Sequence, residues 1–215
     1  EMKIPVQTEY GYPEFKLDRK KNYILSGEFR VTGDKTLSSL VVGLECLTMT
    51  GKSIFPINYL PLPKSSLGTL AEPIKAGAQK MKVSGASGWN ITRNHHVVAA
   101  FNAEENGSDI PNFNLSPFLK KGGVTDAGNG VIEVEFASPV KQEIPAGSKI
   151  RLHTHGAVFL YVVLQQELNG EWKKISGRIP GTQLRPGSEF GRMVFAFYGK
   201  GDAKLQFRNL KVVEE

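Results

Sequence analysis

The feature that most limits what this chain can become is a repeated pattern of short alternating runs, each stopped by a turn signal. In Tyr23-Ile24-Leu25-Ser26-Gly27-Glu28-Phe29-Arg30-Val31, residues Tyr23, Leu25, Phe29 and Val31 share one face at the period of two that a pleated strand imposes. Gly33-Asp34 punctuates, residues 37–49 read as a second, more buried strand, and Thr50-Gly51-Lys52 turns the chain back through 54–60. Residues 81–84, 95–101, 131–136, 149–166, 172–179, 192–198 and 204–213 repeat the pattern. About ten strands, with no amphipathic helix among them, predict an all-β sandwich or barrel.

The connecting segments read as loops. Residues 1–22, with Pro5, Pro13 and the basic cluster Arg19-Lys20-Lys21, form a polar approach. Residues 61–78 form a long surface connection, 102–114 an elaborate loop of the kind that carries function, and 122–130 a glycine-rich turn region. No internal repeat or linker divides the chain, so its 215 residues are expected to make a single β-sandwich domain over 1–215. Hydrophobic residues at 40% and charged residues at 22% suffice for a core and exclude disorder.

Lys and Arg outnumber Asp and Glu 27 to 21, but along the sequence the cations are dispersed. That leaves two readings, simple solubility or attraction to an acidic partner such as a uronate- or sulfate-bearing glycan. Nucleic acid is not expected, because basic stripe, zinc-finger spacing and aromatic-flanked RNA motif are all missing. The single cysteine, Cys46, sits in an apolar stretch and reads as a small core residue. No apolar run approaches the length of a membrane span.

Three segments carry a resemblance. Tyr23-Ile24-Leu25-Ser26-Gly27-Glu28-Phe29-Arg30, Trp172-Lys173-Lys174-Ile175-Ser176-Gly177-Arg178-Ile179 and Leu205-Gln206-Phe207-Arg208-Asn209-Leu210-Lys211-Val212 resemble, in order, the jelly-roll carbohydrate-binding modules attached to bacterial glycoside hydrolases. The resemblance implies a jelly-roll sandwich of two antiparallel sheets, polysaccharide as partner, an extracellular or cell-surface location and attachment to a larger glycan-degrading protein. In that family the last strand commonly carries paired aspartates, one of which helps hold a structural calcium. Arg208-Asn209 stands there in this chain, and an arginine competes with a cation for the same oxygens, so the last strand is not expected to hold it; Asp109 and nearby carbonyls are an alternative place for a structural calcium.

Candidate binding residues come from the run 149–166. Read as one uninterrupted strand, it puts Arg151, His153, His155, Phe159 and Tyr161 on one face and Ile150, Leu152, Val158, Leu160 and Val162 on the other. Planar polar groups bind sugar hydroxyls and aromatic rings stack on the apolar faces of pyranoses, so Arg151, His153, His155 and Tyr161 are expected to line a groove on a concave sheet. Trp89, beside Gly85 and Gly88, is expected to add a stacking platform from a loop, with core packing as the competing reading. Tyr59 is a second such platform, and Trp172 is read as structural.

Two alternatives draw on the same residues. Arg151, His153 and Tyr161 are the types a β-sandwich polysaccharide lyase uses to neutralise a uronate and abstract its proton. His153 and His155, with His95 or His96, are the types that hold a transition metal. Gly147 and the following His-x-His resemble the opening of the cupin metal motif, but the glutamate and the later histidine of that motif are absent.

Overall fold

The computed structural model describes residues 2–4, 9–11, 13–33, 38–55, 66–86, 88–154 and 159–215. The chain divides into two compact units, the first built from 1–54 and 157–215 and the second from 55–156. In chain order the first unit begins with β1 (Met2–Ile4), β2 (Glu9–Gly11), β3 (Phe15–Lys16), β4 (Tyr23–Thr32) and β5 (Ser39–Leu47). The second holds β6 (Leu67–Leu70), β7 (Lys80–Ser84), β8 (Val97–Phe101), β9 (Leu119–Gly128), β10 (Val131–Phe136) and β11 (Lys149–Thr154). The chain then returns to the first through β12 (Leu160–Glu167), β13 (Lys173–Ile179), β14 (Phe190–Tyr198) and β15 (Lys204–Glu214). Among the described residues every pairing is antiparallel.

The first unit is sandwich-like. One sheet runs β1-β15-β4-β13 and the other β12-β5-β14-β2, with β3 also pairing β14. The three segments that carry the resemblance are β4, β13 and β15, three neighbouring strands of one sheet. Alternation decides what lies between the sheets: β4 contributes Tyr23, Leu25, Phe29 and Val31, β5 contributes Leu40, Val42, Leu44 and Cys46, and β14 contributes Met193, Phe195 and Phe197. Phe195 reaches across the sheets, meeting Phe29 edge-on at 5.7 Å and Phe207 at 4.9 Å between ring centroids. Edge-to-face pairing of this kind adds to the gain from burial, because the positive ring edge meets a negative ring face. Where the chain leaves for the second unit, buried Arg185 donates to the Ile54 carbonyl.

The second unit is a six-stranded sheet in the order β8-β11-β6-β7-β10-β9. It curls so that β8 and β9, its two end strands, approach one another. Leu70, Met81, Val83, Phe101, Val134, Phe136, Ile150 and Leu152 fill its own core. Part of the opposite face is a charge ladder in which Lys80 bridges Glu133 and Glu135, and Lys120 meets Glu135.

Several expectations need correcting. The strand predicted over 149–166 is two strands, β11 and β12, which belong to different units and different sheets. The polar approach is partly strand, since β1, β2 and β3 add to the sheets of the first unit. The surface connection over 61–78 contains β6, and the glycine-rich turn region lies largely in β9, an irregular strand with two register shifts against β10. Its turn is Asn129-Gly130, both at positive φ, the conformation that a tight hairpin turn requires and that Asn-Gly tolerates. The buried hydrophobic residues form two clusters, one in each unit.

The cross-sheet aromatic contact sets an expectation. Phe195→Ala leaves a cavity between the sheets and is expected to cost about 3–5 kcal/mol, read as a lower urea midpoint. A variant as stable as the wild type would remove Phe195 from its role as the fastener of the two sheets.

Candidate functional site

Of the residues singled out in the sequence, Arg151 and His153 come together, but in a buried network. β11 alternates as predicted, with Ile150 and Leu152 in the core and Arg151 and His153 on the other face, yet that face is covered as well. Arg151 donates through Nη1 to Asp109 Oδ1 and through Nη2 to Asp109 Oδ2, both at 2.9 Å, and also to the Glu104 carbonyl at 2.8 Å. Asp109 accepts further bonds from the Glu104 amide and from Asn112 Nδ2. The loop 102–114 is thereby pinned onto β11 by a bidentate ion pair, the strongest geometry an Arg and a carboxylate can adopt. Burial alone would push the Asp109 carboxyl upward, but the bonds from Arg151, Asn112 and Glu104 outweigh it and hold the group below the ordinary aspartate range.

His153 is fully buried, and its Nε2 accepts from Arg151 Nε at 3.0 Å. A guanidinium only donates, so Nε2 carries no proton and the ring is the neutral Nδ1-H tautomer. That Nδ1 finds no hydrogen-bond partner among the described residues. Burial and then the Arg151 charge depress the His153 pKa to about 4, with Asp109 acting weakly in the other direction.

The other candidates are scattered. Trp89 is 5% exposed and packs in the core of the second unit, the competing reading given above. His155 and Tyr59 lie outside the described residues. His95 is exposed in the turn before β8, edge-on to Phe118. Among the described residues no group of three His, Cys, Asp or Glu side chains stands ready to hold a metal, and both oxygens of Asp109 already serve Arg151. Tyr161 belongs to the first unit, so the lyase set of Arg151, His153 and Tyr161 does not share a sheet face. No helix among the described residues is long and apolar enough to cross a membrane.

Tyr161 instead has companions that the sequence did not reveal. On β5 the core phase leaves Ser39, Val41 and Gly43 pointing outward, and on β14 it leaves Ala196 and Tyr198. Pairing sets Tyr161 opposite Gly43, Val41 opposite Ala196 and Ser39 opposite Tyr198. Ser39, Val41, Tyr161, Ala196 and Tyr198, with Phe159, Leu164 and Gln165, line a cleft of about 330 Å³ on the outer face of β12, β5 and β14. Its floor is made of small residues and its flanks of large ones.

Local structure explains the shape. A Cβ at Gly43 would lie 2.8 Å from Phe159 Cβ and from the Leu160 carbonyl, so only glycine lets β12 and Phe159 settle there. Phe159 is buried and meets Tyr161 edge-on at 6.3 Å, bracing a ring that is itself 40% exposed. Tyr198 is 50% exposed and Leu164 61%. β12 breaks register twice along β5, and Gln165 within the second break has φ +58. Bulges re-aim side chains, and a non-glycine residue in the left-handed region is a cost that tends to mark a functional site. Further along the same face Arg192 donates to Glu45 at 2.6 Å and 3.1 Å and also lies 3.7 Å from Glu14 Oε1, while Glu45 accepts from the Ser53 hydroxyl as well.

The pH dependence of the second unit follows from His153. Above pH 6.5 folded and unfolded chains both keep this ring neutral. As the pH falls from 6.5 toward 4, the unfolded chain takes up a proton that the folded one refuses, so stability drops, by about 3 kcal/mol over that window. His153→Gln keeps an acceptor for Arg151 without the titration, and urea midpoints measured across the window are expected to flatten. An unchanged slope in the variant would assign the pH dependence to other groups.

Compared with protein families, with characterised proteins and with solved structures, the chain matches none.

Proposed function

We propose that this chain is a non-catalytic carbohydrate-binding domain that holds a polysaccharide in the cleft on the outer face of β12, β5 and β14. The observation that carries the reading is the pair of exposed tyrosines, Tyr161 and Tyr198, flanking a floor of Ser39, Val41 and Ala196. The apolar face of a pyranose ring stacks on a phenol, while the phenolic hydroxyls, the Ser39 hydroxyl and the Gln165 amide suit sugar hydroxyls. By register the two tyrosines are four residues apart along β5 and on opposite sides of it, about 16 Å between Cα atoms from standard strand rise and spacing. That span exceeds one sugar ring and suits a chain of several.

Two features support the jelly-roll form of the reading. The chain passes from one sheet of the first unit to the other at β4 to β5, β12 to β13, β13 to β14 and β14 to β15. The segments that resemble bacterial carbohydrate-binding modules are neighbours in one sheet. In this reading the domain works outside the cell or at its surface, as part of a larger glycan-degrading protein. Of the residues expected to contact the glycan, Tyr161 keeps that role, while Arg151, His153 and Trp89 hold the second unit together.

Tyr161→Ala and Tyr198→Ala are each expected to weaken binding of a long oligosaccharide about tenfold to a hundredfold in titration calorimetry, with the fold unchanged by circular dichroism. A glycan array on which the wild type binds nothing, or variants that bind as tightly as the wild type, would overturn the proposal.

A further inference from the structure

The basic residues that look dispersed along the sequence are gathered by the fold. On β4, β13 and β15 the core phase takes Leu25, Phe29, Ile175, Ile179, Leu205 and Phe207 inward. The opposite phase carries Arg30, Lys174, Arg178, Lys204, Arg208 and Lys211, because Lys204 pairs with Thr32, Arg208 and Lys174 both with Glu28, Lys211 with Ser26 and Arg178 with Ile24. All but Arg30 are exposed. Among the described residues Glu28 accepts from Arg208 Nε at 2.6 Å and Glu215 from Arg178 Nε at 2.9 Å. Lys204 and Lys211 form no ion pair with a described acid, and they flank the Arg30 and Arg208 guanidiniums.

Those guanidiniums are held in place. Trp172, just before β13, has the Cζ atoms of Arg208 and Arg30 at 4.2 Å and 4.5 Å from its ring centroid, and Arg30 Nε donates to buried Gln206 Oε1 at 2.7 Å. Cation–π contact and hydrogen bonding fix two of the positive groups before any partner arrives, which lowers the ordering cost of binding.

We propose that the outer face of β15, β4 and β13 is a second binding surface, for an acidic polysaccharide bearing uronate or sulfate groups. Charge complementarity selects a polyanion. The choice of glycan over single-stranded nucleic acid rests on the absence of a stacking platform: the face has no exposed aromatic ring among the described residues, and the Trp172 ring is already engaged by guanidinium groups; duplex DNA is left to the test. The surface is independent of the tyrosine cleft, which lies on the other sheet of the same unit.

The test compares heparin and polygalacturonate with uncharged dextran and with duplex DNA of similar charge, using the whole chain. Both acidic polymers are expected to bind, with affinity falling about a hundredfold between about 50 and 200 mM salt as counterions reclaim the polymer. Reversing charge at Lys174→Glu, Lys204→Glu and Lys211→Glu together is expected to abolish that binding, and the matching Lys→Gln set to weaken it in part. Tyr161→Ala with Tyr198→Ala is expected to leave it intact. The surface is refuted if neither acidic polymer binds at low salt, if the reversed variant binds as well as the wild type, or if DNA binds more tightly than both glycans. Loss of polyanion binding in the tyrosine variants would merge the two sites and also overturn the inference. Array binding of neutral glycans tests the cleft separately.

Discussion

Phe195 is the residue on which the first unit turns. By meeting Phe29 and Phe207 across the sandwich, it fixes which phase of β14 faces inward, and the same contact fixes β4 and β15. Strand side chains alternate without exception unless a bulge intervenes, so choosing the core face also chooses the outer face. Tyr198 lies in the cleft because Phe197 lies in the core, and Arg208 lies on the basic face because Phe207 does not. Both candidate surfaces are thus the reverse side of one packing decision.

The second unit depends on a different interaction. Its Arg151–Asp109 pair joins a strand to a loop 42 residues earlier, with side chains 7% and 11% exposed. Taking two such charges out of water is costly, and the cost is offset only because the hydrogen-bonding capacity around them is filled, by Glu104, Asn112 and His153 as well as by each other. The network fixes one loop position and leaves Arg151 no free donor pair for a ligand, while His153 Nδ1 stays without a partner among the described residues. Residue types suited to chemistry have here been used for architecture.

How far the sequence could be read follows from how strongly each segment alternates. Tyr23 to Val31 and Val131 to Phe136 fall within β4 and β10 because each carries a clear two-residue period. β6 is four residues long and β9 contains Gly122 and Gly123, which pack no side chain against a neighbour, so neither shows a period to read. β11 and β12 read as one run because both are rich in apolar residues and only residues 155–159 separate them. That merger moved Tyr161 onto the wrong constellation, and its true companions, Ser39, Val41 and Tyr198, come from strands that are distant in sequence.

The sequence by itself determined the all-β character, the phase of the strongly alternating strands and the burial of Cys46, because these depend on spacing within a few residues. Tertiary structure alone decided which strands are neighbours, and with that which outward residues meet. Tyr161 joins Tyr198 through β5, and Lys174 joins Lys211 through β4, by hydrogen-bond registers between segments far apart in the chain. The period of a strand says which residues point the same way; only pairing says what stands beside them.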